Sequence, residues 1–256
     1  MLKGKGAAMT GTANSFPASA DPAEVAKFTA MADSWWAIEG PFRPLHLFNP
    51  IRIAVLKRMF SAHFRREGET PFTGLSLLDV GCGGGLIAEP MTRMGFAVTG
   101  IDPAAKNIQV AQEHARRMRL AVDYRVAGPE QMADLGRKFD VILALEVVEH
   151  VPDPAAFLAA AAPLLAKDGM LALATLNRTP KSLLLAKFGA EYVLRWLPVG
   201  THDWRKFVKP SELARAVSAA GLGRPQFTGL SYNPLSGTWR ESPDLDMNYM
   251  AFAVNS

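Results

Sequence analysis

The sequence has only one cysteine, Cys82, in 256 residues. A single cysteine cannot form an intrachain disulfide, so a disulfide-stapled scaffold is excluded and a reducing compartment is favoured. The chain also lacks an uncharged apolar run of about 18 residues, which argues against a membrane-spanning helix. Residues 1–20 lack the apolar core of a signal peptide and the arginine richness of a transit peptide. We interpret them as a flexible tail.

Long runs of lysine and arginine are absent too, although the net charge is +4 and the pI is about 9.3. A mild basic excess can favour an anionic membrane or nucleic acid, and charge alone does not choose between them. The absence of long basic runs makes the nucleic-acid interpretation the weaker one. Charged residues make up 20% and hydrophobic residues 49%, which is typical of a folded chain rather than a disordered one. This length suits one domain with a large core, and we place that domain at residues 21–256.

What the chain does contain is a regular alternation of short apolar runs and helical segments. The pattern repeats five times, and its apolar runs are LSLLDV, FAVTGID, VDYRVA, FDVILALE and MLALATLN. Such alternation predicts an α/β, doubly wound, Rossmann-like sheet with parallel strands. The later runs QFTGLSYNP and MNYMAFAV have no helix between them and predict a closing hairpin. The predicted sheet is therefore mostly parallel and has seven strands.

Two further segments flank or interrupt this pattern. Residues 21–70 are predicted to form an N-terminal helical cap, whose first helix begins at Asp21-Pro22. The three prolines of EGPFRPLHLFNP predict a loop before the second helix of this cap. Pro90 is unexpected inside the predicted helix LIAEPMTRMG, and Gly169 is predicted to close the helix DPAAFLAAAAPLLAKDG. Residues 179–205 form an insertion after the fifth strand.

The stretch LLDVGCGGG leaves a backbone with almost no side chains, which indicates that a ligand approaches it closely. Gly81 and Gly83 fit the first two positions of a dinucleotide-binding fingerprint, but Leu86 stands where the third glycine is required. The loop resembles instead the D/E-x-G-x-G-x-G motif of class I S-adenosylmethionine-dependent methyltransferases. A glycine turn without a ligand is the alternative. Cys82 is interpreted as a small buried residue.

Two aspartates end the first two predicted strands. Asp79 opens the glycine motif, and Asp102 lies 21 residues after Gly81. An acid at the end of the second strand can accept hydrogen bonds from both hydroxyls of a ribose, in a nicotinamide site or an S-adenosylmethionine site alike. The resemblance of the loop to the class I methyltransferase motif implies that Asp79, Gly81, Gly83 and Asp102 bind the cofactor.

Glu146, Glu149 and His150 follow the fourth strand, at the edge of the sheet where ligands bind. If they form one helical turn, the three side chains share a face. His150 and Glu149 are then the candidate catalytic residues, with His150 as a general base. Alternatively, all three could ligate Mg²⁺, which would lower the pKa of a bound phenol. The alternative without function is a capped loop with two solvated glutamates.

From about Lys27 to Ala253 the chain resembles the ubiquinone-biosynthesis O-methyltransferases. The resemblance lies in the stretches WWAIEGPFRPLHLFNPIR, LLDVGCGGG, VTGID, EVVEHVPDP, TLNRTPKS, GAEYVLRWLPVGTHDW, KFVKPSEL and DMNYM. The tryptophan pair with NPIR and the block from GAEY to GTHDW are its most specific parts. The family methylates 3-demethylubiquinol, and its bacterial members also methylate 2-polyprenyl-6-hydroxyphenol.

The resemblance implies roles for particular residues. Arg52, in NPIR, matches an arginine that contacts the cofactor, and its guanidinium can bind the methionine carboxylate in two-pronged fashion. Leu145 matches an apolar residue against the adenosyl group. Glu146, Glu149 and His150 match residues suspected of binding Mg²⁺. The stretch VAGPEQM departs from the family after the third strand, so no adenine-contacting residue is named there.

The segment TPKSLLLAKFGAEYVLRWL, residues 179–197, mixes apolar and aromatic residues with lysine and arginine. Such a segment can lie in a membrane interface with its basic ends in the headgroup region, or it can be an ordinary helix over the core. Because the implied substrate carries a polyprenyl tail, we predict a lid that contacts anionic lipids. The protein is then expected in the cytoplasm, peripheral at the inner face of the membrane.

The implied function is methyl transfer from S-adenosylmethionine to the phenol oxygen of polyprenylated catechols and quinols, within a quinone-biosynthesis protein complex and without nucleic acid. One alternative is a non-catalytic S-adenosylmethionine-binding subunit of such a complex. A methyltransferase for another small-molecule phenol is a second alternative, and a nucleotide methyltransferase is a third, suggested only by the basic pI. Turnover by the isolated protein separates the enzyme from the subunit.

Overall fold

The computed structural model describes residues 16–133, 135–184, 203–234 and 236–255. Within these residues one sheet contains β1 (Ser76–Val80), β2 (Ala97–Asp102), β3 (Asp123–Val126), β4 (Phe139–Leu145), β5 (Leu165–Leu176), β6 (Gln226–Asn233), β7 (Thr238–Ser242) and β8 (Asn248–Val254). The helices are α1 (Pro22–Met31), α2 (Arg43–Phe64), α3 (Ala88–Arg93), α4 (Ala105–Arg117), α5 (Pro129–Ala133), α6 (Pro154–Ala161), α7 (Pro180–Ser182) and α8 (Pro210–Ala219). No helix of this part of the chain is long and apolar enough to cross a membrane.

The strands lie in the order β3-β2-β1-β4-β5-β8-β6-β7. Strands β1 to β5 are parallel, whereas β8 runs antiparallel to both β5 and β6. The order reverses between β1 and β4, and in open α/β sheets a ligand binds at the carboxyl ends of the strands beside such a reversal. The predicted α/β, doubly wound, mostly parallel fold is confirmed.

The prediction of seven strands is wrong, because β7 adds an eighth strand in the described part of the chain. β7 pairs antiparallel with the outer edge of β6, from Gly229 opposite Ser242 to Asn233 opposite Thr238. Its sequence TWRES has no apolar run and is half exposed. A polar edge strand is specified by its partner rather than by its own pattern, so the sequence carried no signal for it.

Both faces of the sheet are covered by hydrophobic cores. In β1, Leu77 belongs to the core that includes residues of α2, α3 and α4, and Leu78 belongs to the core that includes residues of α5, α6 and α8. Successive side chains of a strand point to opposite faces. The central strands β1 and β4 are therefore mainly apolar instead of alternating, as the sequence indicated.

The predicted loop EGPFRPLHLFNP is wrong from Arg43 onward, because α2 begins there. Pro44 is in the first turn, where a backbone N–H needs no partner inside the helix. Pro50 lies inside α2, between Asn49 and Arg52, both of which are buried. Packing of this face of the helix against the sheet outweighs the local cost of the proline.

Two other boundary features have simple physical reasons. Pro90 is the third residue of α3, where its missing N–H costs little. The prediction that Gly169 ends a helix is wrong, since α6 ends at Ala161 and Gly169 lies inside β5. A Cβ at Gly169 would stand 2.8 Å from the carbonyl oxygen of Asp140. This glycine is needed for close backbone packing rather than for a cap.

The N-terminal cap begins as predicted, because the Asp21 side chain accepts a hydrogen bond from the backbone N–H of Ala23 at 2.9 Å. Residues 1–15 of the expected tail lie outside the described residues. Just before α1, Ser19 donates to Glu130 from its backbone nitrogen at 2.8 Å and from Oγ at 3.1 Å. Of the insertion at residues 179–205, residues 185–202 lie outside the described part.

Candidate active site

A cavity of about 750 Å³ lies at the carboxyl ends of β1, β2 and β4. Its walls come from α1 and α2 on one side, from the glycine loop on another, and from the hairpin of β6 and β7 on a third. The position agrees with the strand reversal between β1 and β4, since the loops that leave the two strands diverge there and open a crevice. The predicted residues Arg52, Asp79, Gly81, Gly83, Asp102, Leu145, Glu146 and His150 all line this cavity.

The glycine loop turns sharply after β1. Gly81 and Gly83 have positive φ angles of 71° and 53°, which residues with a Cβ rarely adopt. A Cβ at Gly83 would stand 2.5 Å from the ring of Trp35, and one at Gly84 would also collide with that side chain. The space that the glycines leave beside the backbone is therefore filled in part by Trp35 of the N-terminal cap.

Trp35 and Trp36 fasten this cap to the loop. Trp36 donates from Nε1 to the carbonyl oxygen of Gly84 at 2.9 Å, and Trp35 donates from Nε1 to Oδ1 of Asn107 at 2.9 Å. Asn107 in turn donates from Nδ2 to Asp102 at 3.1 Å. Sequence reasoning noticed the tryptophan pair only as part of a resemblance and gave Asn107 no role.

Asp102 is buried at the end of β2 and is held in one orientation. It accepts hydrogen bonds from Gly83 N at 3.0 Å and from Ala104 N at 2.8 Å, besides the one from Asn107. Burial raises the pKa of its carboxyl, and these hydrogen bonds oppose that rise. A carboxylate fixed in this way can accept hydroxyl donors from a ligand in the cavity, which fits the predicted ribose contact.

Asp79, at the end of β1, is the clearest unfilled polar position. Its side chain is 3% exposed, and Oδ2 has no hydrogen-bond partner among the described residues. Burial raises the pKa of Asp79 to about 7, although the nearby charge of Arg52 lowers it. A buried carboxyl oxygen without a donor is costly. The amine of a bound methionine group would supply the missing donor.

Arg52 lies on the cavity side of α2 but is already engaged. Its Nη1 donates to Glu146 Oε1 at 3.2 Å, its Nε donates to Asn49 Oδ1 at 3.1 Å, and Cζ lies 4.7 Å from the centre of the Phe48 ring. A methionine carboxylate would therefore share this guanidinium with Glu146. Leu145, the last residue of β4, lies beside them at the cavity wall.

The predicted helical turn of Glu146, Glu149 and His150 is wrong. Glu146 has a left-handed φ of 56°, and the chain then forms a turn closed by the hydrogen bond from His150 N to Val147 O at 2.8 Å. A residue in this conformation cannot continue a right-handed helix, so the three side chains do not share a face.

Glu149 is buried behind the cavity. Its Oε2 accepts from Thr175 Oγ1 at 2.8 Å, and Oε1 has no partner among the described residues. Burial, and after it the neighbouring charge of Glu146, raise the pKa of Glu149 to about 8. This carboxyl therefore holds its proton more readily than an ordinary glutamate does.

His150 faces the cavity, and its Nδ1 lies 3.1 Å from Oε2 of Glu24. Burial lowers the pKa of His150, but the hydrogen bond to Glu24 and the charge of Glu149 outweigh burial, so the pKa is raised overall. The ring packs edge-on against Phe28 of α1. The predicted catalytic pair is thus split: His150 is in the cavity, and its direct partner is Glu24 rather than Glu149.

The side chains expected to bind Mg²⁺ each have another partner. Glu146 pairs with Arg52, Glu149 with Thr175 and His150 with Glu24. Among the described residues, no three histidine, cysteine, aspartate or glutamate side chains form a group that could hold a metal ion. In this arrangement the three side chains do not fit the predicted Mg²⁺ site.

Glu24 joins α1 to the segment that follows the insertion. Its Oε1 accepts from Lys206 Nζ at 2.9 Å, and Lys206 also lies 3.7 Å from Asp21. The hydrogen bond from His150, with help from Lys206 and against partial burial, lowers the pKa of Glu24 to about 2. We call Glu24, His150 and Lys206 the α1 clasp. Sequence reasoning missed it, because no local pattern links the three residues.

Cys82 is buried, as interpreted from the sequence, and burial raises the pKa of its thiol. A thiol that resists ionisation is a poor nucleophile. The glycine loop therefore carries a packing residue at this position.

Comparison with known proteins gives consistent results. A family described as a methyltransferase domain matches residues 52–223. Among curated proteins, the ubiquinone biosynthesis O-methyltransferase of Paramagnetospirillum magneticum is 56% identical over 238 residues, which cover 92% of this chain and 95% of the relative. The enzyme of the same name from Caulobacter sp. strain K31 is 51% identical over 94% of this chain and 98% of its own length.

Solved structures of lower identity show the same fold. The plantazolicin methyltransferase BpumL, in complex with SAH, has a TM-score of 0.62 at 15% identity and covers 91% of this chain and 97% of its own. Magnesium protoporphyrin IX methyltransferase from Synechocystis PCC 6803, with bound SAM, has a TM-score of 0.55 at 18% identity and covers 90% and 97%. At this identity the likeness concerns the fold alone.

Proposed function

Because the chain belongs to the ubiquinone biosynthesis O-methyltransferases, we propose that its cavity holds S-adenosylmethionine beside a polyprenylated phenol. The methyl group is transferred to a phenol oxygen of this acceptor. The acceptors are 3-demethylubiquinol and 2-polyprenyl-6-hydroxyphenol, the two that the family resemblance implies. The protein acts as an S-adenosylmethionine-dependent O-methyltransferase of ubiquinone biosynthesis.

The cofactor half of the proposal depends on one observation, the two buried carboxyls at the ends of β1 and β2. Asp102 is aligned by three donors and takes the ribose hydroxyls of the cofactor. Asp79 has an unpaired buried oxygen and takes the methionine amine. Gly81 and Gly83 keep the loop between them free of side chains, and Arg52 and Leu145 complete the wall.

S-adenosylmethionine, when bound, supplies a methyl group on a positively charged sulfonium. The chain's own residues hold the acceptor oxygen against this methyl group, which converts a bimolecular encounter into a positioned one. The mostly apolar walls of the cavity limit access of water, so water neither solvates the phenolate strongly nor competes with it for the methyl group. Positioning and shielding therefore supply much of the acceleration.

His150 removes the phenol proton in this proposal. Glu24 engages Nδ1, so Nε2 is the ring nitrogen that takes the proton from the acceptor. The raised pKa makes His150 a stronger base than an isolated imidazole. Glu149 supports it from behind, through its charge when ionised. No step is assigned to Mg²⁺, because the side chains expected to bind it would first have to leave Arg52, Thr175 and Glu24.

We also propose that residues 179–197 contact anionic lipids, which puts the enzyme at the cytoplasmic face of the membrane, beside other proteins of quinone biosynthesis. The support is the basic, aromatic-rich sequence of this segment and the polyprenyl tail of the acceptors. At its described start, Leu184 is 60% exposed, and Lys181 pairs with Asp244 at 2.5 Å. The segment thus leaves the sheet at a point fastened to the link between β7 and β8.

The test of function is methyl transfer from labelled S-adenosylmethionine to a short-tailed demethylubiquinol kept reduced, with Mg²⁺ and then with excess chelator. We expect labelled product from the isolated protein. Turnover that persists with chelator assigns proton removal to His150, whereas turnover lost with chelator means that the side chains rearrange around a cation. No product under either condition, with cofactor binding intact, would contradict the proposed acceptor.

A further inference from the structure

Where α2 and the hairpin of β6 and β7 border the cavity, its lining includes an aromatic wall. Trp239, on β7, lies between two other rings: its centre is 4.3 Å from that of Phe48 and 5.2 Å from that of Tyr232. All three residues line the cavity. Flat aromatic faces at these spacings form an apolar surface that suits another ring. We call Trp239, Phe48 and Tyr232 the aromatic wall.

Trp239 also carries an unfilled hydrogen-bond donor. Its indole Nε1 is buried and has no partner among the described residues. A buried N–H without an acceptor is unfavourable, and buried tryptophans usually find a partner for it. A polyprenyl tail has no acceptor to offer, whereas a phenolic ring with oxygen substituents does. The donor therefore favours the ring of the acceptor over its tail at this position.

The aromatic wall is directly connected to the reactive end of the cavity. Phe48 lies between Trp239 and the guanidinium of Arg52, which is 4.7 Å from the Phe48 ring and pairs with Glu146 just after β4. An acceptor ring that packs against Trp239 is thus separated from Arg52 and Glu146 by the ring of Phe48 alone. The tail of the acceptor can then extend away toward the hairpin turn.

Strand β7 is held rigidly enough to form such a wall. Glu241 lies two residues after Trp239, on the same face of the strand, and pairs with Arg58 of α2, with Arg58 Nε 3.3 Å from Glu241 Oε1. On the adjacent strand, a Cβ at Gly229 would collide with the carbonyl oxygen of Asp244, so the chain after β7 closes directly onto β6. The eighth strand is therefore fastened to both α2 and the sheet, and its Trp239 lines the cavity.

We propose that the aromatic wall is the acceptor subsite, and that Trp239 Nε1 donates a hydrogen bond to an oxygen substituent of the bound phenolic ring. This inference rests on the proposed function, because it gives the acceptor its place in the same cavity. It assigns acceptor specificity to β7, a strand outside the seven predicted from the sequence.

The kinetic test compares the wild type with Trp239→Phe, which keeps an aromatic ring and removes the donor. We expect the KM for the acceptor to rise about five- to tenfold, the cost of one hydrogen bond, with an unchanged Kd for S-adenosylmethionine and little change in kcat. Thr238→Ala is the control, since Thr238 is an exposed residue of the same strand that does not line the cavity, and the KM of this variant should match the wild type.

Two acceptors locate the oxygen. A penalty on both 2-polyprenyl-6-hydroxyphenol and 3-demethylubiquinol assigns the hydrogen bond to an oxygen that they share, and a penalty on the quinol alone assigns it to an oxygen that only the quinol carries. Active wild type with no penalty for Trp239→Phe on either acceptor overturns the subsite. Wild type inactive on both would instead contradict the proposed function.

A spectroscopic measurement does not depend on turnover or on the folding of the variant. In protein labelled with ¹⁵N at the indoles, the five tryptophans give separate N–H signals. With SAH bound, addition of the acceptor should move the Trp239 signal downfield, and SAH alone should not. The signal is assigned from Trp239→Phe or, if that variant does not fold, by elimination with the other four tryptophans. A Trp239 signal unmoved at saturating acceptor would overturn the proposal.

Discussion

At the scale of single residues, Asp79 illustrates how a binding site can oppose stability. The carboxyl is buried without a donor on Oδ2, and burial raises its pKa to about 7 from an ordinary value of 3.8. Because the pKa of Asp79 is higher in the folded state, the contribution of its protonated form to the free energy of unfolding is fully present below pH 3.8. This contribution is lost as the pH rises toward 7. The ionised carboxyl of Asp79 can thus bind a cationic group, but without a ligand it lowers the free energy of unfolding of the protein.

Asp79→Asn is therefore expected to stabilise the unliganded protein and to weaken cofactor binding. The gain in free energy of unfolding should grow between pH 4 and 7 and then level off. Its upper bound is about 4 kcal/mol, because one pKa unit corresponds to about 1.4 kcal/mol. Urea unfolding at pH 5 and pH 8 and calorimetry with SAH measure the two effects. A stability difference that is equal at both pH values would contradict the buried, ionising carboxyl.

Asp102 gives a second prediction at this scale. Asp102→Asn replaces a carboxylate oxygen by an NH₂ group that must face the N–H groups of Gly83 or Ala104. Hydrogen bonds to charged groups contribute about 1.5–3 kcal/mol, so the Kd for S-adenosylmethionine should rise roughly ten- to hundredfold. Asp123→Asn, on β3 in exposed pairs with Arg125 and Arg137, is the control. Equal affinity of Asp102→Asn and wild type would remove Asp102 from the cofactor site.

At the scale of elements, α1 depends on polar contacts for its position. None of its residues is fully buried, so its hydrophobic anchorage is weak. The α1 clasp and the packing of Phe28 against Trp35 and His150 hold it over the cavity. The pKa of Glu24 is lowered to about 2 from 4.5. Its stabilising contribution is present above pH 4.5 and is lost only as the pH falls toward 2.

Glu24→Gln should loosen α1 without unfolding the domain. We expect faster amide hydrogen exchange in residues 22–31 and a severalfold faster release of SAH, because α1 lines the cavity and the charged contacts to His150 and Lys206 are lost. Glu39→Gln, in the same N-terminal cap and exposed in its pair with Arg43, is the matched control and should leave both rates unchanged. Unaltered exchange in Glu24→Gln would mean that packing alone holds the helix.

At the scale of the whole molecule, the cavity lies at one edge of the sheet, where the carboxyl ends of the parallel strands meet. The strand ends, α1, α2 and the hairpin of β6 and β7 all border it, and α7 starts the insertion beside it. The insertion itself extends through residues 185–202, outside the described residues. Its role in lipid contact therefore stays a prediction from the sequence.

The membrane prediction is tested with Phe188→Asp combined with Trp196→Asp. A charge at each aromatic position opposes insertion into the interface, so binding to vesicles with anionic lipids should be abolished, while the Kd for S-adenosylmethionine stays the same. Met118→Asp, at a half-exposed position after α4, controls for the loss of surface apolar area. Vesicle binding equal to that of the wild type would contradict the role of this segment.

The sequence alone determined the fold class and the positions of the two carboxyls. Strand, turn and helix alternate within short stretches, so the pattern that predicts a parallel sheet is local. Asp79 and Asp102 end neighbouring strands, and parallel strands bring their carboxyl ends to the same edge. The Asp21 cap was readable for the same reason, since its partner is two residues away.

Only the tertiary structure decided which side chains meet in the cavity. The hydrogen bonds of His150 with Glu24, Arg52 with Glu146 and Trp35 with Asn107 join residues 126, 94 and 72 positions apart. The left-handed turn at Glu146 separated three residues that a helical reading had put on one face. Strand β7 and its Trp239 depend on an edge that β6 offers. Such contacts form when elements that are distant in the sequence pack together. A short stretch of sequence therefore does not show which distant residue will contact it.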